Sequence, residues 1–259
     1  MMPLVILIAA AVIPAVYLLI RVYRADRLEK EPVGLLVALV LLGVFSTSLA
    51  GLAEELGESF LAELFPEEDL IYNALLYFVI VGLAEEGFKY LVLKLRTWKS
   101  PQFNCQFDGV VYAVFVSLGF ALWENIAYVL RYGFGTAVAR AITAVPGHAC
   151  FGVFMGVWYG VAKRYELAGF PKESRNARRM AVLIPVLLHG AYDFIASMES
   201  DIMSIVFLVF VGWMFRTALK LVKKTSAEDS PLMQQTYQFN VNAGEVGQQT
   251  DSINEYIDE

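Results

Sequence analysis

Histidine and cysteine are scarce in this chain, with two of each in 259 residues. Cys105 lies in a polar stretch and Cys150 in an apolar one, which excludes a disulfide framework and a thiolate zinc cluster. No Lys or Arg follows Lys224, whereas Glu228, Asp229, Glu245, Asp251, Glu255, Asp258 and Glu259 all do. The net charge of −6 therefore resides in the tail, and the near-neutral body offers no electrostatic footprint for nucleic acid. The His-Glu-x-x-His pattern of soluble metalloproteases, a Gly-x-Ser-x-Gly elbow and a Walker loop are all missing. Serine-hydrolase and nucleotide-driven chemistry thus lack support.

Apolar residues are what the chain has in quantity: 58% are hydrophobic, 18% are charged and the mean hydropathy is +0.55. That is too apolar for a soluble domain and too often interrupted for a single anchor. Spanning a bilayer takes roughly 20 apolar residues in a helix, and seven runs approach that length. They fall near 3–20, 33–53, 71–95, 109–130, 138–162, 181–198 and 203–220. The sequence thus predicts an all-α, polytopic membrane bundle of seven helices over residues 1–224, with the lipid bilayer as its solvent. Basic residues crowd the first, third and fifth connectors and follow the last run, as in Arg21 to Lys30, Arg96 with Lys99, Lys163 to Arg179, and Lys220 to Lys224. By the positive-inside rule the N-terminus is expected outside and the tail in the cytoplasm. The first run has no basic residue before it and reads as a reverse signal anchor. Residues 225–259, acidic and without apolar periodicity, are expected to form a disordered cytoplasmic tail.

Against this background the polar residues inside the runs stand out, because an ionised side chain in hydrocarbon costs several kcal/mol unless it is paired, protonated or bound to metal. Glu85-Glu86-x-x-Lys89 places the lysine beside both carboxylates on one helical face. A lysine snorkelling to the interface with one glutamate as its partner would account for one of the two carboxylates and leave the other. Glu124, in Phe120-x-x-x-Glu124-Asn125, lies well inside the fourth run with no basic residue before Arg131. His148 follows Pro146-Gly147, which should bend or break the fifth run, and heads a four-residue ladder with Gly152, Gly156 and Gly160. Such a ladder admits a close neighbouring helix, so this face should be buried in protein. His189 and Asp193 are four apart on the sixth run and share a face, where the aspartate could orient the imidazole. The other Ala-Glu-Glu, at Glu54 and Glu55, opens an acidic outer stretch without a lysine and reads as a solvated loop end.

Counted at 1.5 Å per residue, Glu86, Glu124, His148, His189 and Asp193 fall in one layer about 10 Å thick near mid-membrane. Two imidazoles and a carboxylate (His148, His189 and Glu124) make a familiar catalytic zinc set with a fourth position for water. Glu85 or Glu86 could take that water's proton while Lys89 keeps its neighbour ionised, with Asp193 and Asn125 behind the ligands. Chains of Glu, His and Asp also build proton relays, so an ion-coupled transporter is the alternative; the repeated halves common in transporters are not found.

The ordered series Glu85-Glu86-x-x-Lys89, Phe120-x-x-x-Glu124, His148 and His189-x-x-x-Asp193 resembles the motifs of PrsW-type intramembrane proteases. That family is related to the CAAX prenyl endopeptidases and, more distantly, to a non-catalytic subunit of gamma-secretase. The likeness covers residues 71–198, and His148 departs from the prenyl endopeptidases in having Gly152, not Asn or Asp, four residues on. The resemblance implies a membrane protease of the bacterial plasma membrane that makes the first cut in a membrane-anchored anti-sigma factor. It also implies Glu85, Glu86 and His189 as the essential residues, with His148 and Glu124 beside them; the resemblance leaves both a metal and unaided glutamate–histidine water activation open, and zinc is the cofactor expected from the residue set itself. A non-catalytic scaffold of the same superfamily would need neither Glu85 nor Glu86.

Overall fold

The computed structural model describes residues 3–67, 69–229 and 231–232, and within them every regular element is a helix, apart from an isolated β-bridge between Cys105 and Pro231. Helices α1 (Leu4–Ala25) and α2 (Val33–Leu64) are followed by a helical stack of α3 (Leu70–Leu75), a π turn (Leu76–Val81) and α4 (Gly82–Thr97). Then come α5 (Asp108–Tyr132), the short α6 (Phe134–Ile142), α7 (Ala144–Leu167), α8 (Pro171–Ala196) and α9 (Asp201–Ala227). Six stretches are long and apolar enough to cross a membrane: α1, α2, α5, α6 with α7, α8 and α9. The third expected run is the stack from Leu70 to Thr97, which the π turn divides.

Helix α5 is the axis of the bundle: every residue from Asp108 to Ala121 is buried, packed chiefly against α7, α2 and α1. The expected glycine ladder on α7 lies along α5, where a Cβ on Gly109 would come within 2.7 Å of the Gly156 carbonyl oxygen. Small residues at this seam let the two backbones approach as membrane helices do. The outer faces are the reverse of a soluble protein's, with Val37, Leu41, Phe45, Leu56 and Phe60 on α2 and Ile205, Leu208, Val209 and Trp213 on α9 all exposed. Apolar faces of this extent suit lipid and not water.

Three expectations are corrected. Helix α2 does not end near residue 53 but runs on to Leu64, so Glu54 and Glu55 lie on a helix and not in a loop. Hydropathy falls there, yet Ala, Glu and Leu are good helix formers and no Pro intervenes. The fifth run is not bent at Pro146-Gly147. It is split at Thr143, and Pro146 sits in the first turn of α7, where no intrahelical N–H bond is lost. The tail begins later than residue 225: α9 continues to Ala227, Asp229 accepts a hydrogen bond from the Phe107 N–H (3.0 Å), and the Leu232 N–H donates to the Asn104 carbonyl (2.7 Å). The remainder of the expected disordered tail, 233–259, lies outside the described residues.

Candidate active site

The π turn and α4 set up the first half of the site. A π turn inserts an extra residue into the helical spiral and re-aims the side chains beyond it, and such turns recur at functional positions. Here those side chains are Glu85, Glu86 and Lys89, all buried although charged. Helix α8 meets this turn closely: a Cβ on Gly190 would stand 2.6 Å from Phe78, so only glycine lets His189 be carried up to α4.

Lys89 Nζ is the hub. It donates to Glu85 Oε2 (2.9 Å) and Glu86 Oε1 (2.8 Å), lies 3.1 Å from His148 Nδ1, and sits 3.9 Å from the centre of the Phe120 ring. The ammonium cannot accept and has a third proton to give, so His148 Nδ1 accepts it and the His148 Nε2–H donates to Glu124 Oε2 at 2.8 Å. The same Glu124 oxygen lies 2.9 Å from an Arg140 guanidinium nitrogen. Arg140 Nε donates to Asn125 Oδ1 (3.0 Å), and the Asn125 amide donates to the Ala11 carbonyl (2.8 Å), tying α5 and α6 to α1. On the other side His189 Nδ1 is 3.0 Å from Glu86 Oε1 and 3.7 Å from Glu85 Oε2, while its Nε2 is 3.3 Å from Asp193 Oδ2. Its ring stacks on Phe151 at 4.6 Å between centroids. Charge therefore alternates along a chain running from Arg140 through Glu124, His148, Lys89, the two glutamates and His189 to Asp193, which is how buried ionic groups become tolerable.

Glu85, Glu86, His148 and His189 each offer a ligand atom, and the four atoms lie within 4.8 Å of one another. Two imidazoles and two carboxylates fit the preferences of zinc, and buried Glu86 Oε2 has no hydrogen-bond partner, so one donor is uncommitted. Glu124, expected from the sequence to be a ligand, stands behind His148 on the Nε2 side, outside this group of four. The carboxylates of the cluster come from α4 instead.

The site opens into a cavity of about 340 Å³ bounded by α2, the π turn, α4, α5, α6, α7 and α8, with Glu85, Glu124, His148, His189 and Asp193 in its wall. Two further residues line it that are not apparent in the sequence. Arg140 reads there only as the flank of a loop. Glu54 reads as solvated, yet with Thr47 and Gly51 it forms one face of α2 turned into the cavity. Glu54 Oε1 is sealed from solvent without a hydrogen-bond partner, and among the described residues it is the one cavity carboxyl with no cation at ion-pair distance. The signal that could have found it is the i, i+4, i+7 spacing of Thr47, Gly51 and Glu54 within an uninterrupted helical sequence.

A multi-pass bundle that gathers acids and imidazoles at one cavity has the donor set that a membrane-embedded hydrolase needs. The comparison with known proteins agrees: the family model described as PrsW family intramembrane metalloprotease matches residues 31–219, and the chain belongs to that family. It is 34% identical over 220 residues to a protein described as Protease PrsW from Clostridioides difficile, covering 83% of this chain and 89% of the relative. It is 33% identical over 223 residues to the Protease PrsW of Halalkalibacterium halodurans (86% and 98%) and 30% identical over 212 residues to that of Bacillus subtilis (80% and 91%). No solved structure matches the chain.

Proposed function

We propose that the protein is an endopeptidase of the bacterial plasma membrane that hydrolyses a peptide bond in a membrane-anchored protein, with zinc held by His148, His189 and Glu86 and with Glu85 beside them as the proton acceptor. The observation that carries this reading is the buried quartet of donors gathered about Lys89. The family resemblance points to an anti-sigma factor as the substrate and to the first of successive cuts. The charge distribution of the connectors supports an N-terminus outside and a cytoplasmic tail.

A bound zinc would polarise the scissile carbonyl and lower the pKa of its water to about 7. The chain's own groups do the rest. Glu85 is the member of the pair that reaches the cavity, so it takes the proton as water adds to the carbonyl carbon and returns it to the amine nitrogen as the C–N bond breaks. Glu86, wholly sealed, anchors both Lys89 and His189. Glu124 and Arg140 fix the tautomer of His148 from behind, and Asp193 does the same for His189. Glu54, facing them across the cavity, is placed to hydrogen-bond the substrate backbone. For the ion to bind, Lys89 must move off His148 Nδ1, and any proton on His189 Nδ1 must leave.

The test is purification in detergent with metal analysis and a cleavage assay on membrane-anchored substrates. Wild-type protein should hold about one zinc and cut; His148→Ala and His189→Ala should lose both metal and activity, because ligands set affinity. Active protein that holds no metal and resists chelators would replace zinc by water activation through glutamate and histidine alone. Absence of cleavage with every such substrate, together with ion flux altered by the same variants, would reverse the choice in favour of a transporter.

A further inference from the structure

A second, larger cavity of about 490 Å³ lies away from the catalytic quartet, in an open groove between α4 and α8. Its two ends differ in chemistry. Leu83, Val182, Leu183 and Val186 line the deep end, and Lys94, Arg175, Arg178 and Arg179 line the other. From Leu83 to Lys94 the groove follows α4 for about 16 Å, half the hydrocarbon thickness of a bilayer.

Among the described residues none of the four cations is in an ion pair; Arg178 lies 5.0 Å from the centre of the Trp98 ring, and no carboxylate lines the groove. The positive-inside rule accounts for basic residues at this end of the bundle, but not for four of them converging on one cleft that continues as an apolar slot. A further sign comes from the wall itself. Tyr90 Oη is screened from solvent and has no hydrogen-bond partner, a donor that a ligand oxygen in the groove would satisfy.

We infer that this groove binds an anionic phospholipid, with the phosphate among Lys94, Arg175, Arg178 and Arg179 and an acyl chain laid along Leu83, Leu183 and Val186. Basic clefts between membrane helices on the cytoplasmic side select anionic headgroups in this way, and arginine suits phosphate because its planar fork donates in pairs. The acidic tail of the chain also complements the charge and is the rival occupant that the test below separates. A lipid matches both halves. Because α4 carries Glu85 and Glu86 and α8 carries His189, an occupant here would brace two of the three helices that supply the donor quartet.

Lipid binding in this groove is independent of proteolysis, and its test needs no cleavage. Purified full-length protein is titrated with phosphatidylglycerol, with phosphatidylcholine and with inorganic phosphate, reading bound lipid by native mass spectrometry and the thermal unfolding midpoint. Phosphatidylglycerol should bind and raise the midpoint, while the other two should not. Lys94→Gln with Arg175→Gln and Arg179→Gln should weaken lipid binding on the order of a hundredfold, since each surface cation contributes about a factor of five. Leu183→Trp, which blocks the slot and keeps every charge, should weaken binding as well. Unchanged lipid binding in both the triple variant and Leu183→Trp would overturn the inference. An equal response to inorganic phosphate, or lipid binding that appears only after removal of residues 233–259, would also overturn it, the latter by showing that the tail fills the groove.

Discussion

At the residue scale the structure separates two Ala-Glu-Glu sequences in a way that spacing alone does not. In the sequence, Glu54 and Glu55 read as equivalent, solvated controls for Glu85 and Glu86. The structure divides that pair, with Glu54 in the cavity and Glu55 exposed. Glu55→Gln should leave cleavage unchanged, whereas Glu54→Gln should lower it about tenfold, mostly through KM, if it holds the substrate backbone through a single hydrogen bond. Equal activity of the two variants would remove Glu54 from the site. Glu85→Gln should abolish cleavage and largely retain zinc, since a proton acceptor acts on water and adds little to ion affinity. Arg140→Gln tests the supporting groups. Losing the ion pair to Glu124 loosens His148, and a decrease of roughly 10 to 100-fold in zinc affinity is expected, to be read by competition with a chelating dye. Arg140 could not be found from the sequence because it reaches Glu124 through the bend between α5 and α6, and its distance along the chain carries no helical signature.

At the scale of elements, the approach of α8 to the π turn depends on a missing side chain. Gly190→Ala places a methyl group against Phe78, and Gly190→Leu forces the helices apart. The larger substitution should abolish both zinc binding and activity while leaving the helical content seen by circular dichroism in place; full activity in Gly190→Leu would show that α8 is not held there. The helices themselves are legible in the sequence as apolar runs, and the face relations within each, such as Glu85 with Lys89 or His189 with Asp193, follow from helical periodicity. The illegible features have a common cause. Hydropathy reports where a helix meets lipid, not where it ends, so the C-terminal part of α2 reads as loop. The π turn has no local compositional signal, and the break at Thr143 is masked by the nearby Pro146-Gly147, whose presence is compatible with a helix start.

At the scale of the whole molecule, one end of the bundle is closed by a cap built from the first loop, the α4–α5 connector and the end of α9. The Ser226 hydroxyl donates to the Ala25 carbonyl, and Asp229 and Leu232 bond the connector. Two acids are buried in it. Burial pushes the Asp26 carboxyl up to about 6, partly opposed by Lys30 and reinforced by Asp229 and Glu29. Burial likewise pushes Glu31 up to about 7, with Asp26 and Glu29 adding to it and the neighbouring Tyr112 hydroxyl opposing it. Because the folded values lie above the unfolded ones near 4, the folded state binds more protons in this interval. The stabilising contribution is complete below about pH 4 and is lost as pH rises through about 6 to 7. Amide protection of residues 26–31 and 104–108, corrected for intrinsic exchange, should therefore be greater at about pH 5 than at about pH 8; a pH-independent value would contradict the burial of these acids. The orientation of the molecule is checked separately. In a background lacking Cys105 and Cys150, a cysteine near Glu67 should label from outside and one near Lys172 from inside, and the reverse would invert the proposed topology.

Lys89, at the centre of the donor quartet, also bears on how such a protein can be made. A cluster of carboxylates and imidazoles awaiting a doubly charged ion would be a heavy electrostatic burden for a nascent chain entering the membrane. The ammonium acts as a resident counter-ion that shares the chain's own covalent fate, so the bundle can be inserted and closed before any metal is encountered. On the proposed zinc reading, maturation would be an exchange of one cation for another inside a finished mould. Metal loading would thereby be uncoupled from biosynthesis, and the lysine that balances the two carboxylates during assembly would be the group that steps aside for it.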